Sequence, residues 1–93
     1  MNLDAFRATL SDDEPPSRDP LLHALWLDAR GDWHGAHELA QDVGSADGSW
    51  VHAYLHRKEG DLPNAGYWYR RAGKPVADGS LEDEWASIAA TLL

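Results

Sequence analysis

The sequence contains no cysteine and no long apolar run, and only 8 of its 93 residues are basic. Without cysteine, neither a disulfide nor a thiolate metal site can form. No apolar stretch approaches the roughly 18 residues that a membrane-spanning helix requires. The 16 acidic residues give a net charge of −8, which argues against nucleic acids and anionic membranes as partners. The acidic N-terminus, MNLDAFRATLSDDE, lacks the features of a signal peptide, and we expect a cytoplasmic location.

The motifs that usually identify an enzyme are also missing. The chain has no glycine-rich phosphate loop, no nucleophile elbow and no H-E-x-x-H metal helix. Most of its acidic residues fall at expected helix starts or in one loop, where solvation and the helix dipole account for them. The sequence therefore gives no support for catalysis, and we expect no cofactor.

What the chain does contain is a series of helical segments. Ninety-three residues allow one domain with a modest core, and the apolar spacing predicts only α-helices. Two prolines and four acids in the stretch SDDEPPSRD predict a surface loop. We divide the chain into an N-terminal helix (2–10), this acidic proline-rich loop (11–19), a first helical pair (20–44), a second helical pair (48–75) and a C-terminal capping helix (80–93).

Short polar residues mark where each helix should begin, and glycines mark where several should end. The segment GSADGS between the two pairs is a loop by composition. The expected stops are Gly31, Gly60 and Gly73. The expected caps are Asp19 before Pro20, Asp32, either Asp47 or Ser49, Asp61, and Ser80 with Asp83 as a capping box.

The two helical pairs are copies of one unit. At an offset of 29 residues, HALWLDARGDWHGAHELAQDVG aligns without a gap on HAYLHRKEGDLPNAGYWYRRAG. The identities fall at the turn, at the helix end and at small packing positions, which predicts an internal repeat. The matched pairs are His23 with His52, Ala24 with Ala53, Gly31-Asp32 with Gly60-Asp61, Ala36 with Ala65, and Gly44 with Gly73.

The second copy, KEGDLPNAGYWYRRA, resembles the centre of a tetratricopeptide repeat or its Sel-type relatives. The matching positions are Gly60, Asp61, Ala65, Tyr69 and Ala72. The resemblance implies an all-α fold of antiparallel helical hairpins in a right-handed stack, with flanking N- and C-terminal helices. Residues 50–75 are also similar to parts of small uncharacterised bacterial and fungal proteins, which imply no activity. Two repeats are fewer than the usual ~3 of a stable stack, so the flanking helices act as caps or the chain forms a homodimer.

Histidines stand where this family usually has apolar or aromatic residues. His52 and His56 are four residues apart, a spacing that places both on one helix face and can chelate a divalent metal. His34 and His37 are three apart on the preceding helix. Because His23 is the repeat equivalent of His52, one hypothesis is a metal site of His23, His52 and His56. The alternative is that these histidines are packed and hydrogen-bonded within the fold.

Basic and aromatic residues concentrate in the second repeat. Between Arg57 and Lys74 there are five basic and two acidic residues, a local charge of +3 on an acidic chain. Trp68 together with Arg57, Arg70 and Arg71 would form an apolar and positively charged binding surface. The alternatives are that the charges are an ordinary solvated face and that Trp68 packs under the C-terminal helix.

Two classes of function follow. The first is an interaction module that binds a protein, an acidic peptide or a second copy of itself through His52, His56, Arg57, Trp68, Arg70 and Arg71. The second is a metal-binding protein or metal-dependent enzyme that uses His23, His52 and His56. A small-anion site at Arg57, Arg70 and Arg71 is a third possibility.

Overall fold

The computed structural model describes residues 1–93, and every regular element in it is helical. The predicted all-α class is therefore confirmed. A 3₁₀ turn, Thr9–Ser11, extends the first helix. None of the helices is both long and apolar enough to cross a bilayer. In chain order the helices are α1 (Leu3–Ala8), α2 (Pro20–Ala29), α3 (Trp33–Gln41), α4 (Ala46–Glu59), α5 (Leu62–Ala72) and α6 (Leu81–Leu92).

Side-chain caps start four of the helices at the predicted residues. Asp19 Oδ1 accepts hydrogen bonds from two backbone N–H groups in the first turn of α2. The caps of α3, α5 and α6 each accept from the N–H group three residues further on, and they are Asp32, Asp61 and Ser80. Each bond satisfies a backbone donor that has no partner within the helix.

The start of α4 differs from the prediction. Its cap is Ser45, whose Oγ accepts from the N–H group of Gly48 at 3.1 Å, so the prediction of Asp47 or Ser49 is wrong. Gly48 is buried against the backbone carbonyl of Val43, where a Cβ atom would collide. Gly48 therefore lets the first turn of α4 lie directly on the carbonyl of the preceding loop, and most of the segment expected to be a loop is helical.

The α2–α3 and α4–α5 turns are built in the same way. Gly31 and Gly60 have φ values of +90° and +89°, a left-handed conformation that glycine adopts without a steric penalty. In both turns the glycine N–H donates to the carbonyl three residues back, and the N–H of the following aspartate donates to the carbonyl five residues back. This pattern closes the end of a helix. It reverses the chain at once, so α2 packs on α3 and α4 packs on α5.

Helix α4 is central, because it packs against α2, α3, α5 and α6. Alanines at Ala36, Ala53 and Ala65 are fully buried between neighbouring helices and let those helices approach closely. On the other side of the fold, α1 and α6 pack together. Phe6 stacks on Trp85 with ring centroids 5.7 Å apart, and Trp85 donates a hydrogen bond to the Leu25 carbonyl at 2.9 Å.

A buried ionic network links α2 to α4. Asp28, only 2% exposed, accepts a hydrogen bond from the Tyr54 hydroxyl at 2.7 Å and pairs with Lys58 Nζ at 2.9 Å. Burial and the hydrogen bond to this carboxylate raise the pKa of Tyr54 well above its ordinary value. Residues in an α-helix are about 100° apart, so Tyr54 lies about 160° around α4 from both His52 and His56, and Lys58 lies about 120–160° from them. The two faces of α4 therefore carry different chemistry.

Candidate functional site

Three histidine rings meet where α3 packs on α4, and we call His37, His52 and His56 the histidine cluster. The Nε2 atoms of His37 and His52 are 3.0 Å apart, and one of these rings donates its N–H to the other. The ring centroids of His56 lie 5.1 Å from His37 and 4.7 Å from His52. One ring nitrogen from each histidine lies within 4.8 Å of the other two. Three potential metal ligands therefore converge on one small volume.

Two tryptophans bracket the histidine cluster. Trp33 stacks on His37 with ring centroids 5.0 Å apart, and Trp68 of α5 stacks on His52 with centroids 4.0 Å apart. Trp33 Nε1 also donates to the Leu55 carbonyl at 2.8 Å, which fixes the start of α3 on α4. Stacking of this kind holds the planes of two imidazoles in place.

His56 is oriented by hydrogen bonds at both ring nitrogens. Its Nδ1–H donates to Glu59 Oε1 at 2.6 Å, and Asn64 Nδ2 donates to its Nε2 at 3.3 Å. Nε2 is therefore the only ring nitrogen of His56 that carries a lone pair, and an ion bound there would replace the hydrogen bond from Asn64. A carboxylate on the far nitrogen commonly orients a metal-binding histidine and raises its basicity.

Burial favours the neutral form of two of the three rings. Desolvation, with smaller contributions from His37 and His56, lowers the pKa of His52 to about 4. Desolvation and the neighbouring His56 also lower the pKa of His37. A histidine must be neutral to bind a metal ion. His37 and His52 are therefore uncharged at neutral pH, which is the state that a metal ligand requires, although one of their Nε2 atoms carries the proton that the two rings share.

The third member of the cluster is not the residue that the repeat suggested. His23 lies outside the cluster, with its ring edge-on to Trp26 at a centroid distance of 6.3 Å. It aligns with His52 at the sequence offset of 29 residues, but it lies on α2, away from the contact between α3 and α4. His52 faces α3, and α3 supplies His37.

The sequence pointed to His37 and His56 but not to Trp33, which stacks on His37, or to Glu59 and Asn64, which hydrogen-bond to His56. Trp33 and His37 are four residues apart, so they share one face of α3. This spacing could have predicted that α3 also presents an aromatic ring and a histidine on one face. His34, on a different side of the helix, is exposed and touches only the edge of the Trp33 ring.

Two of the five clustered bases are neutralised inside the fold. Lys58 pairs with Asp28. Arg57 Nη1 lies 3.0 Å from Glu84 Oε1, and the guanidinium also donates to the Gly79 carbonyl. Glu84 is buried and accepts a second hydrogen bond from the Tyr69 hydroxyl at 2.6 Å. The local charge of +3 is therefore not all available to a ligand.

The remaining arginines of the predicted surface are exposed on α5. The Arg71 guanidinium lies 5.3 Å from the Trp68 ring centroid and 5.8 Å from that of Tyr67. The Arg70 side chain forms no ion pair or hydrogen bond, and Tyr67 is 43% exposed. Trp68 stacks on the ring of His52, so the helix that covers Trp68 is α4, and not the C-terminal helix. We call Tyr67, Trp68, Arg70 and Arg71 the α5 surface, and it adjoins the histidine cluster through Trp68.

The chemistry of the histidine cluster is that of a nitrogen-only ligand set. It combines three imidazoles with one hydrogen-bonded carboxylate behind His56. The two cavities of the molecule are lined by other residues. No family model, curated protein or solved structure matches this chain. A functional proposal must therefore come from the geometry of the site.

Proposed function

We propose that this protein binds one divalent transition-metal ion through His37, His52 and His56. The observation that carries the proposal is the convergence of three imidazole nitrogens within 4.8 Å of one another. Three buried or half-buried histidines facing each other are a costly arrangement for stability alone, because apolar side chains of similar size would pack without polar atoms to satisfy. An ion that accepts all three lone pairs accounts for the arrangement.

The distances suit a tetrahedral ion. Zn²⁺ binds histidine nitrogens at about 2.0–2.1 Å, which places two such nitrogens roughly 3.4 Å apart. His37 Nε2 and His52 Nε2 are 3.0 Å apart, so these two rings would need to separate by only a few tenths of an ångström, and the donor ring would move its proton from Nε2 to Nδ1. His56, whose nitrogen lies within 4.8 Å of the others, would move towards the ion. The stacked tryptophans and Glu59 would keep the three rings in register during this change.

The three imidazole ligands also limit which metal ions can bind. Imidazole suits Zn²⁺, Cu²⁺, Ni²⁺ and Fe²⁺, whereas Mg²⁺ and Ca²⁺ prefer oxygen ligands. Three protein ligands leave at least one coordination position for solvent or another group. The proposal concerns binding at this site, and the role of Glu59 in it is to position His56.

Titration of metal-free protein with Zn²⁺ tests the proposal. We expect one equivalent to bind, and at a free Zn²⁺ concentration 100 times Kd the ion should stabilise the fold by about 2.7 kcal/mol. For a domain of this size that corresponds to an increase in Tm of about 10–20 °C. Mg²⁺ should produce no comparable increase.

Histidine variants make the test specific to the site. His37→Ala should abolish the Zn²⁺-dependent increase in Tm, whereas His34→Ala, three residues away on the same helix, should retain it. His23→Ala should also retain it, because His23 lies outside the cluster. Far-UV circular dichroism confirms that each variant is folded. Equal losses in all three variants, or no stoichiometric binding in the unaltered protein, would refute the proposal.

We also propose that α2–α3 and α4–α5 are successive repeats of a tetratricopeptide-like stack. In support, both turns have the same hydrogen-bond pattern, and Ala36 and Ala65 are buried at equivalent places. In this arrangement the metal would lie between the two repeats and hold them together. An experimental structure in which the two hairpins do not superpose would contradict the assignment.

A second candidate function is the binding of an acidic peptide at the α5 surface. The observation that favours it is the exposed Arg71 guanidinium above two aromatic rings, beside an Arg70 that has no ionic partner. Arg70→Glu with Arg71→Glu should abolish binding of a Glu-rich peptide in a polarisation assay, and Arg18→Glu, elsewhere on the surface, should not. Light scattering would reveal whether a second copy of the chain occupies this surface instead.

A further inference from the structure

The larger cavity of the molecule lies on the face of α4 opposite the histidine cluster. Its volume is about 670 Å³, within the range of roughly 300–1,000 Å³ that is usual for small-molecule sites. Helices α1, α2, α4 and α6 all contribute to its walls. The floor is the buried network of Asp28, Tyr54 and Lys58.

The fold itself does not require this polar floor. At the repeat offset of 29 residues, Leu25 is equivalent to Tyr54 and Ala29 to Lys58, so the first hairpin has apolar residues at the same places. A buried ion pair is often no more stabilising than apolar side chains of similar volume. Polar groups at the floor of a cavity instead fix the orientation of a bound molecule.

Four charged residues line the cavity, and only two of them pair with each other. Asp28 and Lys58 neutralise each other, although the Lys58 side chain is 37% exposed and has further N–H donors. Arg7 and Glu82 also line the cavity, and neither forms an ion pair or a side-chain hydrogen bond. One cation and one carboxylate are thus available to a ligand. Leu10, Leu81 and Trp85 supply apolar parts of the lining.

We infer that this cavity binds a small zwitterion with an apolar body, which is the chemistry of an apolar amino acid or a short apolar peptide. The ligand carboxylate pairs with Arg7 and takes an N–H from Lys58, and the ligand ammonium pairs with Glu82. The apolar body packs against the apolar part of the lining, which comprises Leu10, Leu81 and the exposed edge of Trp85. This site does not depend on the histidine cluster.

Nuclear magnetic resonance of ¹⁵N-labelled protein tests the inference with defined probes. Phenylalanine represents the free amino acid, and the dipeptide Phe-Leu represents the peptide. We expect saturable shifts of the Arg7, Leu81 and Glu82 amides with at least one of them, and the tighter probe identifies the source. N-acetyl-phenylalanine and phenylalanine amide each lack one charge and should bind roughly tenfold more weakly, a loss of about 1.4 kcal/mol.

Two variants test which residue of the protein recognises each charge of the ligand. Arg7→Gln should bind phenylalanine with much less preference over phenylalanine amide than the unaltered protein does, because only the Lys58 N–H then contacts the carboxylate. Glu82→Gln should bind phenylalanine and N-acetyl-phenylalanine equally. Arg18→Gln and Glu38→Gln, which do not line the cavity, are the matched controls and should retain the full preference. No saturable shift with either zwitterion up to its solubility limit, or equal binding of the blocked probes by the unaltered protein, would overturn the inference. Zn²⁺ titration of the same samples separates this result from the fate of the metal site.

Discussion

Replacement of Asp28 by alanine removes the acceptor at the centre of the network between α2 and α4. Asp28 is 2% exposed and each of its oxygens has one partner, the Tyr54 hydroxyl at 2.7 Å and Lys58 Nζ at 2.9 Å. The two partners respond differently to the loss. Lys58 can turn to water because its side chain is 37% exposed, whereas Tyr54 is 2% exposed and its hydroxyl has no other acceptor.

The expected loss of stability follows from how exposed these two partners are. A buried donor left without a partner costs about 1–3 kcal/mol, and hydrogen bonds to a charged group contribute about 1.5–3 kcal/mol. Removal of the carboxylate also relieves its desolvation, which offsets part of the loss. We expect Asp28→Ala to lower the free energy of unfolding by about 2–4 kcal/mol and Tyr54→Phe to lower it by about 1–2 kcal/mol. The double variant should lose at least about 1 kcal/mol less than the sum of the two single losses.

Urea denaturation followed by far-UV circular dichroism measures these differences, provided that the m-value is unchanged. The molecule offers a matched control, because Tyr69 donates to a separate buried carboxylate, Glu84. Asp28→Ala combined with Tyr69→Phe should be additive within about 0.5 kcal/mol. Additive losses for Asp28→Ala with Tyr54→Phe, or a stability gain in Asp28→Ala alone, would refute the reasoning.

Further predictions concern the turn, the helix packing and pH. Gly60→Val should lower the free energy of unfolding by about 2–3 kcal/mol, since φ is +89° there and a β-branched residue is strained in that region. Gly44→Val, at an ordinary φ, should lower it clearly less in the same urea denaturation assay. Ala65→Leu should overpack the α4–α5 contact and cost about 1–3 kcal/mol, and unchanged stability would undo that packing assignment. In metal-free protein the free energy of unfolding should fall by about 1–2 kcal/mol as pH drops from 6.5 towards 4, because unfolded His52 takes up a proton near 6.5 whereas its folded pKa is about 4. His52→Gln should flatten that pH profile, and an equally steep profile in the variant would assign it to other groups.

The helices and turns could be predicted because their signals are local. The caps at Asp19, Asp32 and Asp61 act through hydrogen bonds that span two or three residues. The left-handed glycine turns close through bonds that span three to five residues. Residue type and spacing within such a short window are enough to identify these features. The one misplaced start, at α4, failed because close packing of Gly48 against Val43 overrode the loop composition.

The sites could not be predicted in the same way, because they depend on contacts between distant segments. The sequence placed His52 and His56 on one face of a helix, but the packing of α3 on α4 made His37 their partner across 15 residues and left His23 apart. The sequence likewise predicted that Arg57 belongs to a basic surface. In the fold it pairs instead with Glu84, which is 27 residues away in the chain. Local hydrogen bonds thus determined where each helix begins and ends. The rotation and crossing of the helices, which follow from packing over the whole core, decided which side chains meet.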